Sequence, residues 1–178
     1  MSDRRAILVI GAGDATGGAI ARRFAREGYI ACVTRRTADR LQPLVEQIRA
    51  DGGEAHAFGS DARQEDAMVS LVETIERDIA PIDVAVFNIG ANVRFGITET
   101  TARVYQKVWE MACFSGFLMG REYATVTAAR HMSYADARAF RKRFGLSVFM
   151  VGLACSLVPF VAPLVGASAM TRLVQSLR

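Results

Sequence analysis

The distribution of apolar and polar residues over the first 90 positions predicts strands that alternate with helices. Five consecutive apolar residues, AILVI at 6–10, are typical of a strand buried on both faces. Residues 16–27 then place Ile20 and Phe24 on one face and arginines on the other, as in an amphipathic helix. The same criteria predict further strands at 29–34, 54–61 and 82–90, and helices at 41–48 and 68–79.

A longer helical segment is predicted at 99–130, with a break near Gly116. Short strands that alternate with helices form βαβ units, whose right-handed crossovers give a parallel sheet. We therefore predict an α/β fold of the Rossmann type, a doubly wound parallel sheet with helices on both faces. A length of 178 residues suits one domain, so we expect a single domain over 1–178.

Charge is distributed unevenly along the chain. Residues 1–132 carry 16 Lys and Arg against 17 Asp and Glu, whereas residues 133–178 carry six against one. No recognisable nucleic-acid-binding motif accompanies this basic excess, so no nucleic-acid partner is expected. Three cysteines without a motif suit a reducing cytoplasm, and two histidines outside any ligand pattern predict no metal site.

An uncharged segment at 144–171 permits two interpretations. It follows Arg141, Lys142 and Arg143, which would fit a membrane span with its positive end in the cytoplasm. However, Pro159 and Pro163 interrupt it, and a buried strand joined to an apolar helix has the same hydropathy. Burial in a protein core is favoured, and the membrane span remains the alternative.

Three glycines follow the first predicted strand. Gly11, Gly13 and Gly17 stand where a tight turn, a close approach of the backbone to pyrophosphate and close helix–strand packing each require a missing side chain. The next helix would direct its free N–H groups and positive dipole end at a phosphate. We therefore predict a dinucleotide site here. A glycine turn selected for packing alone remains the alternative.

The stretch IGAGDATG (10–17) resembles the TGxxxGxG turn of short-chain dehydrogenases/reductases, with Ile10 in place of Thr and Ala15 in place of the middle Gly. Two further pieces are similar to this family. FNIG (87–90) resembles its NNAG motif, and WEMACFSGF (109–117) resembles its central helix, with Cys113 where the family has an Asn.

Asp61-Ala62 resembles the family's Asp-hydrophobic pair, which contacts adenine, and the similarity extends over residues 6–122. The resemblance implies an oxidoreductase that transfers hydride between a nicotinamide coenzyme and an alcohol or carbonyl substrate. It also implies pairing of subunits into a homo-oligomer. The coenzyme-binding residues predicted in this way are Gly11, Gly13, Asp14, Ala15, Thr16, Gly17, Arg35, Arg36, Asp61, Ala62, Asn88, Ile89 and Gly90.

Coenzyme choice depends on the end of the second strand. An Asp there would bind the ribose hydroxyls of NAD, but this chain has Thr34-Arg35-Arg36. Guanidinium groups bind phosphate bidentately, so we predict NADP(H) rather than NAD(H), with Arg35 and Arg36 at the 2′-phosphate. Two solvated arginines are the alternative, and Asp14 argues against NADP(H), since NADP-preferring relatives often carry a neutral or basic residue there.

The catalytic resemblance fails in the last third of the chain. The family places a Tyr, a Lys four residues later and a preceding Ser around a fifth strand, which GLSVFMVGLACS (145–156) resembles. The Tyr and Lys positions then fall at Leu164 and Ser168. No Tyr follows Tyr134 and no Lys follows Lys142, so the proton relay of the family is missing.

Substitutes for that relay are few. Ser156, or else Ser147, could stand for the family's Ser. Tyr134 and Arg138 have the four-residue spacing but precede the predicted strand, and Arg cannot act as the Lys does. Nothing near Cys113 in sequence would make it a thiolate nucleophile.

Two functions follow as hypotheses. The first is a cytoplasmic NADP-dependent oxidoreductase whose last third, 133–178, is divergent or truncated, so that the last strands of the family are expected to be lacking. The second is a non-catalytic dinucleotide-binding or scaffold protein that has lost the Tyr-Lys relay.

Overall fold

The computed structural model describes residues 4–90, 96 and 98–156. Parallel strands and helices alternate as predicted. The elements are β1 (Ala6–Ile10), α1 (Thr16–Arg26), β2 (Ile30–Arg35), a 3₁₀ turn (Ala38–Leu41), α2 (Gln42–Ala50), β3 (Ala55–Gly59), α3 (Glu65–Asp78), β4 (Ile82–Phe87), α4 (Ala102–Trp109), a π turn (Glu110–Phe114), α5 (Ser115–Ala129) and α6 (Tyr134–Ser156).

Within the described residues, the strands form one parallel sheet in the order β3-β2-β1-β4. The chain therefore moves outward from β1 to β3 and then returns to the other side of β1. This reversal places the topological switch point at β1, where open α/β sheets bind ligands beside the carboxyl ends of the strands. In the register of the sheet, Ile10 lies between Thr34 and Phe87, so three strand ends meet there.

Strand β1 is the centre of the core. All five of its residues are buried, which explains its uninterrupted apolar sequence. Ile7 and Val9 belong to a buried cluster with residues of α1 and α2, such as Ala21 and Ile48. Side chains of a strand alternate between its faces, so Leu8 and Ile10 lie on the opposite face. Helix α3 buries Met68, Leu71, Val72 and Ile75, the apolar stripe predicted from their spacing.

The predicted break in the helical segment 99–130 is a π turn. Helix α4 begins at Ala102, where the Thr101 hydroxyl accepts a hydrogen bond from Val104 N–H at 3.3 Å. The π turn separates it from α5 and ends directly before Ser115, whose hydroxyl donates to the Glu110 carbonyl at 2.7 Å. The break predicted near Gly116 is therefore confirmed within two residues.

The fifth strand predicted at 145–156 is wrong, because this segment is the second half of helix α6. Helix α6 begins with a capping interaction, in which the Ser133 hydroxyl accepts from Asp136 N–H at 3.2 Å and donates to the Asp136 carboxylate at 2.5 Å. An apolar segment in which apolar and polar residues do not alternate regularly is compatible with a buried strand or with a helix. Here the segment continues a helix that begins upstream at a capped N-terminus. The backbone departs from helical geometry at Phe144, directly before the predicted strand.

The chain divides into two compact units, Met1–Gly120 and Arg121–Arg178. The first contains the sheet and the second contains most of α5 and all of α6. In the second unit, the fully buried Glu122 carboxylate accepts from Arg141 at 2.6 Å. The prediction of one domain over 1–178 stays a prediction.

Among the residues that the structure describes, no helix has both the length and the apolar character needed to cross a bilayer. The segment 144–171, singled out for its hydropathy, is only partly included in this statement. Residues 157–171 lie outside the described residues, as do Leu164 and Ser168, the positions aligned with the family's Tyr and Lys.

Candidate coenzyme-binding site

The turn between β1 and α1 folds tightly over the end of β2. Gly11 N–H and Ala12 N–H both donate to the Thr34 carbonyl, at 3.1 and 3.0 Å. Gly11 has a φ of 86°, a conformation that favours glycine. A Cβ atom on Gly11 would lie 2.8 Å from the Asn88 carbonyl oxygen, so the position also lacks space for a side chain.

Gly17 serves the packing of α1 against this turn. A Cβ atom there would lie 2.8 Å from the Gly11 carbonyl oxygen and 2.9 Å from the Asn88 amide nitrogen. Asn88 in turn donates from Nδ2 to the Gly11 carbonyl at 3.1 Å, and its N–H donates to the Ile10 carbonyl at 2.8 Å. The end of β4 and the start of α1 are thus both held to the first turn.

Gly13 differs from its neighbours because the space beside it is open. A Cβ atom on Gly13 would meet only the Arg35 guanidinium, at 3.9 Å. Ala15 at the N-cap of α1 has no side chain that could cap the helix, and the first turn contains no acidic residue. The N–H groups of this turn are therefore available to an anion, which the positive end of the helix dipole would attract.

Two clefts lie along the carboxyl edge of the sheet. The first, of about 290 Å³, is lined by the β1–α1 turn and by the residues that follow β4. The second, of about 160 Å³, is lined by the ends of β2 and β3. Gly11, Arg35 and Ile89 line both. Each of the predicted coenzyme-binding residues lines at least one of the clefts: Gly11, Gly13, Asp14, Ala15, Thr16, Gly17, Arg35, Asn88, Ile89 and Gly90 the first, and Gly11, Arg35, Arg36, Asp61, Ala62 and Ile89 the second.

Two arginines at the end of β2 supply positive charge to the clefts. Arg35 is partly buried and lies beside Gly13, whereas Arg36 is exposed at the rim of the second cleft. Within the described residues, neither side chain forms a hydrogen bond or an ion pair. Both guanidinium groups are therefore available to an anionic ligand.

Asp61 is engaged by a residue that sequence reasoning missed. Arg63 donates from Nε to one Asp61 carboxylate oxygen at 2.9 Å and from Nη2 to the other at 2.6 Å. Its backbone N–H donates to the first oxygen at 3.1 Å. These hydrogen bonds hold the pKa of Asp61 below its usual range, with a further contribution from the charge of Arg36. Asp61 is therefore a carboxylate with a fixed orientation at neutral pH.

Ser60 is a second residue that sequence reasoning missed. It lines the second cleft, yet its buried Oγ has no hydrogen-bond partner among the described residues. A buried hydroxyl without a partner costs about 1–3 kcal/mol, so its presence beside a cleft calls for a water or a ligand. Met111 and Ser115 from the π turn and α5 also line this cleft. These two residues could not be identified from the sequence, because the π turn determines which side chains of this segment face the cleft.

The candidates for catalysis lie on helical elements in the part of the chain that the structure describes. Ser156 is the last residue of α6, and Ser147, Tyr134 and Arg138 lie on the same helix rather than around a strand. Cys113 is exposed within the π turn. The buried Cys32 thiol has its pKa raised to about 12, mainly by burial, which excludes a thiolate there at neutral pH.

Comparison with known proteins places this geometry in a family. Residues 5–137 match the family described as short chain dehydrogenase. Gluconate 5-dehydrogenase of Gluconobacter oxydans is 30% identical over 125 residues, which cover 70% of this chain and 47% of that protein. The 2,3-dihydro-2,3-dihydroxybenzoate dehydrogenase of Bacillus subtilis is 29% identical, over 70% of this chain and 46% of that protein. The chain thus spans about half the length of these relatives.

Solved structures that resemble this chain belong to the same family. A short-chain dehydrogenase from Rhodopseudomonas palustris is 47% identical with a TM-score of 0.68, over 71% of this chain and 59% of that one. A metagenomic short-chain oxidoreductase in complex with NADP is 25% identical with a TM-score of 0.67, over 73% of this chain and 59% of that one. The match over residues 5–137 covers well over half of the sequence, and the chain therefore belongs to the short chain dehydrogenase family.

Proposed function

We propose that the chain binds NADP(H) along the two clefts, as the coenzyme-binding part of an oxidoreductase acting on an alcohol or carbonyl substrate. The observation that carries this proposal is the β1–α1 turn. The space beside its backbone is open at Gly13, and the helix N-terminus that follows has neither a capping side chain nor a first-turn acid. Such a turn at the switch point of a parallel sheet suits a diphosphate.

The remaining described residues fit the rest of the coenzyme. The diphosphate would lie against Gly13 and the first turn of α1, and Asn88 and Gly90 would face the adenosine ribose. In the second cleft, Asp61 retains acceptor capacity for the amino group of adenine, because a carboxylate can accept about four hydrogen bonds and Arg63 supplies three. When bound, the nicotinamide would supply hydride transfer.

NADP(H) is proposed over NAD(H) because of charge. Arg35 and Arg36 have no internal partner among the described residues, and no carboxylate occupies the end of β2. Guanidinium groups pair well with the 2′-phosphate, which NAD(H) lacks. The metagenomic relative bound to NADP agrees with this choice.

A second candidate function is coenzyme binding without turnover. It is favoured by the helix that occupies 145–156, where the family resemblance predicted the strand that precedes the Tyr and Lys. A cytoplasmic location stays a prediction under either function.

One experiment tests both functions. The quenching of intrinsic fluorescence on addition of NADPH measures binding, and the loss of absorbance at the nicotinamide band with a panel of aldehydes and ketones measures turnover. Binding with turnover supports the oxidoreductase, and binding without turnover supports the second candidate. If neither NADPH nor NADH binds, the coenzyme proposal is wrong.

We also propose that α4 and the start of α5 pair with a second copy of the chain. Tyr105, Trp109 and Phe117 are 67, 47 and 48% exposed, a large amount of apolar surface for one helical face. Phe114 stacks between the Trp109 and Phe117 rings, with centroids 5.7 and 6.4 Å away. Sedimentation velocity should show a dimer or larger species that the Trp109→Ser/Phe117→Ser variant loses. A monomeric wild type would contradict this pairing.

A further inference from the structure

Three cations and one carboxylate share the second cleft. Arg35, Arg36 and Arg63 line it together with Asp61. Asp61 can neutralise only one of them through a two-point ion pair, and the identity of that partner decides which cations remain available. In this structure the partner is Arg63.

The ion pair between Asp61 and Arg63 is built by the local backbone. Both residues lie in the loop between β3 and α3, and the Arg63 N–H donates to the same Asp61 oxygen that accepts from Arg63 Nε. The Gln64 N–H also donates to the Asp61 carbonyl at 2.9 Å, which closes the turn. Arg63 therefore holds the carboxylate through hydrogen bonds made within this loop.

Arg36 is the competing cation. Its charge acts on Asp61, yet its side chain forms no hydrogen bond or ion pair within the described residues. If Arg63 were absent, the Asp61 carboxylate would be an unpaired anion in a confined site, and Arg36 is a cation of the same cleft that could pair with it. A guanidinium engaged by a carboxylate is less available to a phosphate.

We propose that Arg63 is a positioning residue for coenzyme selection. Its bidentate ion pair with Asp61 keeps Arg36 available for the 2′-phosphate of NADP(H). This inference rests on the proposed coenzyme binding. It differs from a merely structural role in one respect. Loss of Arg63 should weaken the binding of NADPH more than the binding of NADH, because only NADPH carries the 2′-phosphate that Arg36 would bind.

The test is a fluorescence titration of four proteins with NADPH and NADH. Arg63→Gln should lower the preference for NADPH over NADH by about fivefold, the size of one exposed charge interaction. Asp61→Asn/Arg63→Gln should restore the preference, since no carboxylate remains to engage Arg36. Arg77→Gln is the matched control, because Arg77 forms the same two-point pair with Asp78, at 2.7 and 2.8 Å, on α3 and away from the clefts.

The outcomes separate the inference from the proposed function. An unchanged preference in Arg63→Gln, an equal loss for both coenzymes, or no recovery in the double variant would overturn the role of Arg63 while leaving coenzyme binding in place. A wild type that binds neither coenzyme, or prefers NADH, would overturn the proposed NADP(H) site and the inference with it. Circular dichroism of each variant establishes that it is folded.

Discussion

At the scale of single residues, the glycines of the first turn differ in what surrounds them. Gly11 and Gly17 are required by the fold, because a Cβ atom on either would lie 2.8 Å from a carbonyl oxygen. Gly13 is not required in this way, since only the Arg35 guanidinium lies within reach. The open space beside Gly13 is where the proposed diphosphate would lie.

This difference predicts opposite effects for two similar substitutions. Gly17→Ala should destabilise the chain by about 1–3 kcal/mol, as overpacking of a tight contact does. Gly13→Ala should leave the free energy of unfolding unchanged or slightly higher, yet weaken NADPH binding about tenfold or more, because the methyl group occupies the approach of the diphosphate. Urea unfolding and fluorescence titration measure the two effects. Equal NADPH affinity in Gly13→Ala and wild type would contradict the assignment.

Ser60 offers a second test at this scale. Its Oγ is buried without a partner among the described residues, so Ser60→Ala should preserve or raise the free energy of unfolding, by up to about 1 kcal/mol. Ser115→Ala is the matched control, because the fully buried Ser115 hydroxyl donates to the Glu110 carbonyl at 2.7 Å. Loss of this hydrogen bond should lower the free energy of unfolding by about 1 kcal/mol. A Ser60→Ala variant destabilised as much as Ser115→Ala would mean that the Ser60 hydroxyl has a hydrogen-bond partner even without a ligand.

The residues of the site could be predicted to different degrees. Gly11, Gly13 and Gly17 can be identified from the sequence because their function depends on the absence of a side chain at a fixed place between a strand and a helix. The role of Arg63 could not be predicted, because it depends on how the loop after β3 turns a side chain back onto Asp61. The missing partner of Ser60 likewise appears only once neighbouring elements surround it.

At the scale of elements, the sequence predicts β1 to α3 well. Each of these helices and strands has its own pattern of apolar residues and a residue that ends it. Gly52 ends α2 with a φ of 85°, and Pro81 separates α3 from β4. Helix α6 was missed, since its apolar half has no period and the family resemblance favoured a strand. A local signal did exist, because Ser133 and Asp136 have the spacing of a capping box.

The buried ion pair of α5 and α6 gives a prediction about this element. Glu122 is 1% exposed and pairs with Arg141 at 2.6 Å, while Thr125 accepts from the same guanidinium at 3.1 Å. Glu122→Gln should lower the free energy of unfolding of the second unit by about 3 kcal/mol, because the Arg141 guanidinium, only 17% exposed, loses the charge of its carboxylate partner.

The control for this prediction is an exposed ion pair. Arg26→Ala removes the pair with Asp51, whose side chains are 63 and 41% exposed, and should cost less than about 1 kcal/mol. Thermal unfolding followed by circular dichroism compares the two variants. Similar small losses in both would mean that Glu122 does not hold α6 in place.

At the scale of the whole molecule, the sheet order explains why distant parts of the sequence meet. Four segments, 10–17, 34–36, 60–63 and 88–90, come together because parallel strands end at one edge and the order reverses at β1. The family resemblance predicted this meeting. The part of the fold that would hold a substrate could not be predicted in the same way, because residues 145–156 form a helix where the family resemblance favoured a strand.

Acid stability should depend in part on Asp61. Its pKa is lowered in the folded state, mainly by hydrogen bonds from Arg63, so its contribution to stability is present above the unfolded pKa, about 3.9, and is lost as pH falls through the folded value. Wild type should therefore be more stable than Asp61→Asn at pH 7, and the two should converge near pH 2. Urea midpoints across this range test the prediction. A constant difference between the two proteins at all pH values would contradict it.

We propose above all that backbone amides at the start of α1 bind the diphosphate of NADP(H). The most direct measurement is a titration of the ¹⁵N-labelled chain with NADPH, followed through backbone amide resonances. We predict saturable shifts that are largest at residues 13–18, with further shifts at Arg36, Asp61 and Asn88. Resonances at 13–18 that stay in place while NADPH saturates the protein, or no shifts at all, would contradict the claim.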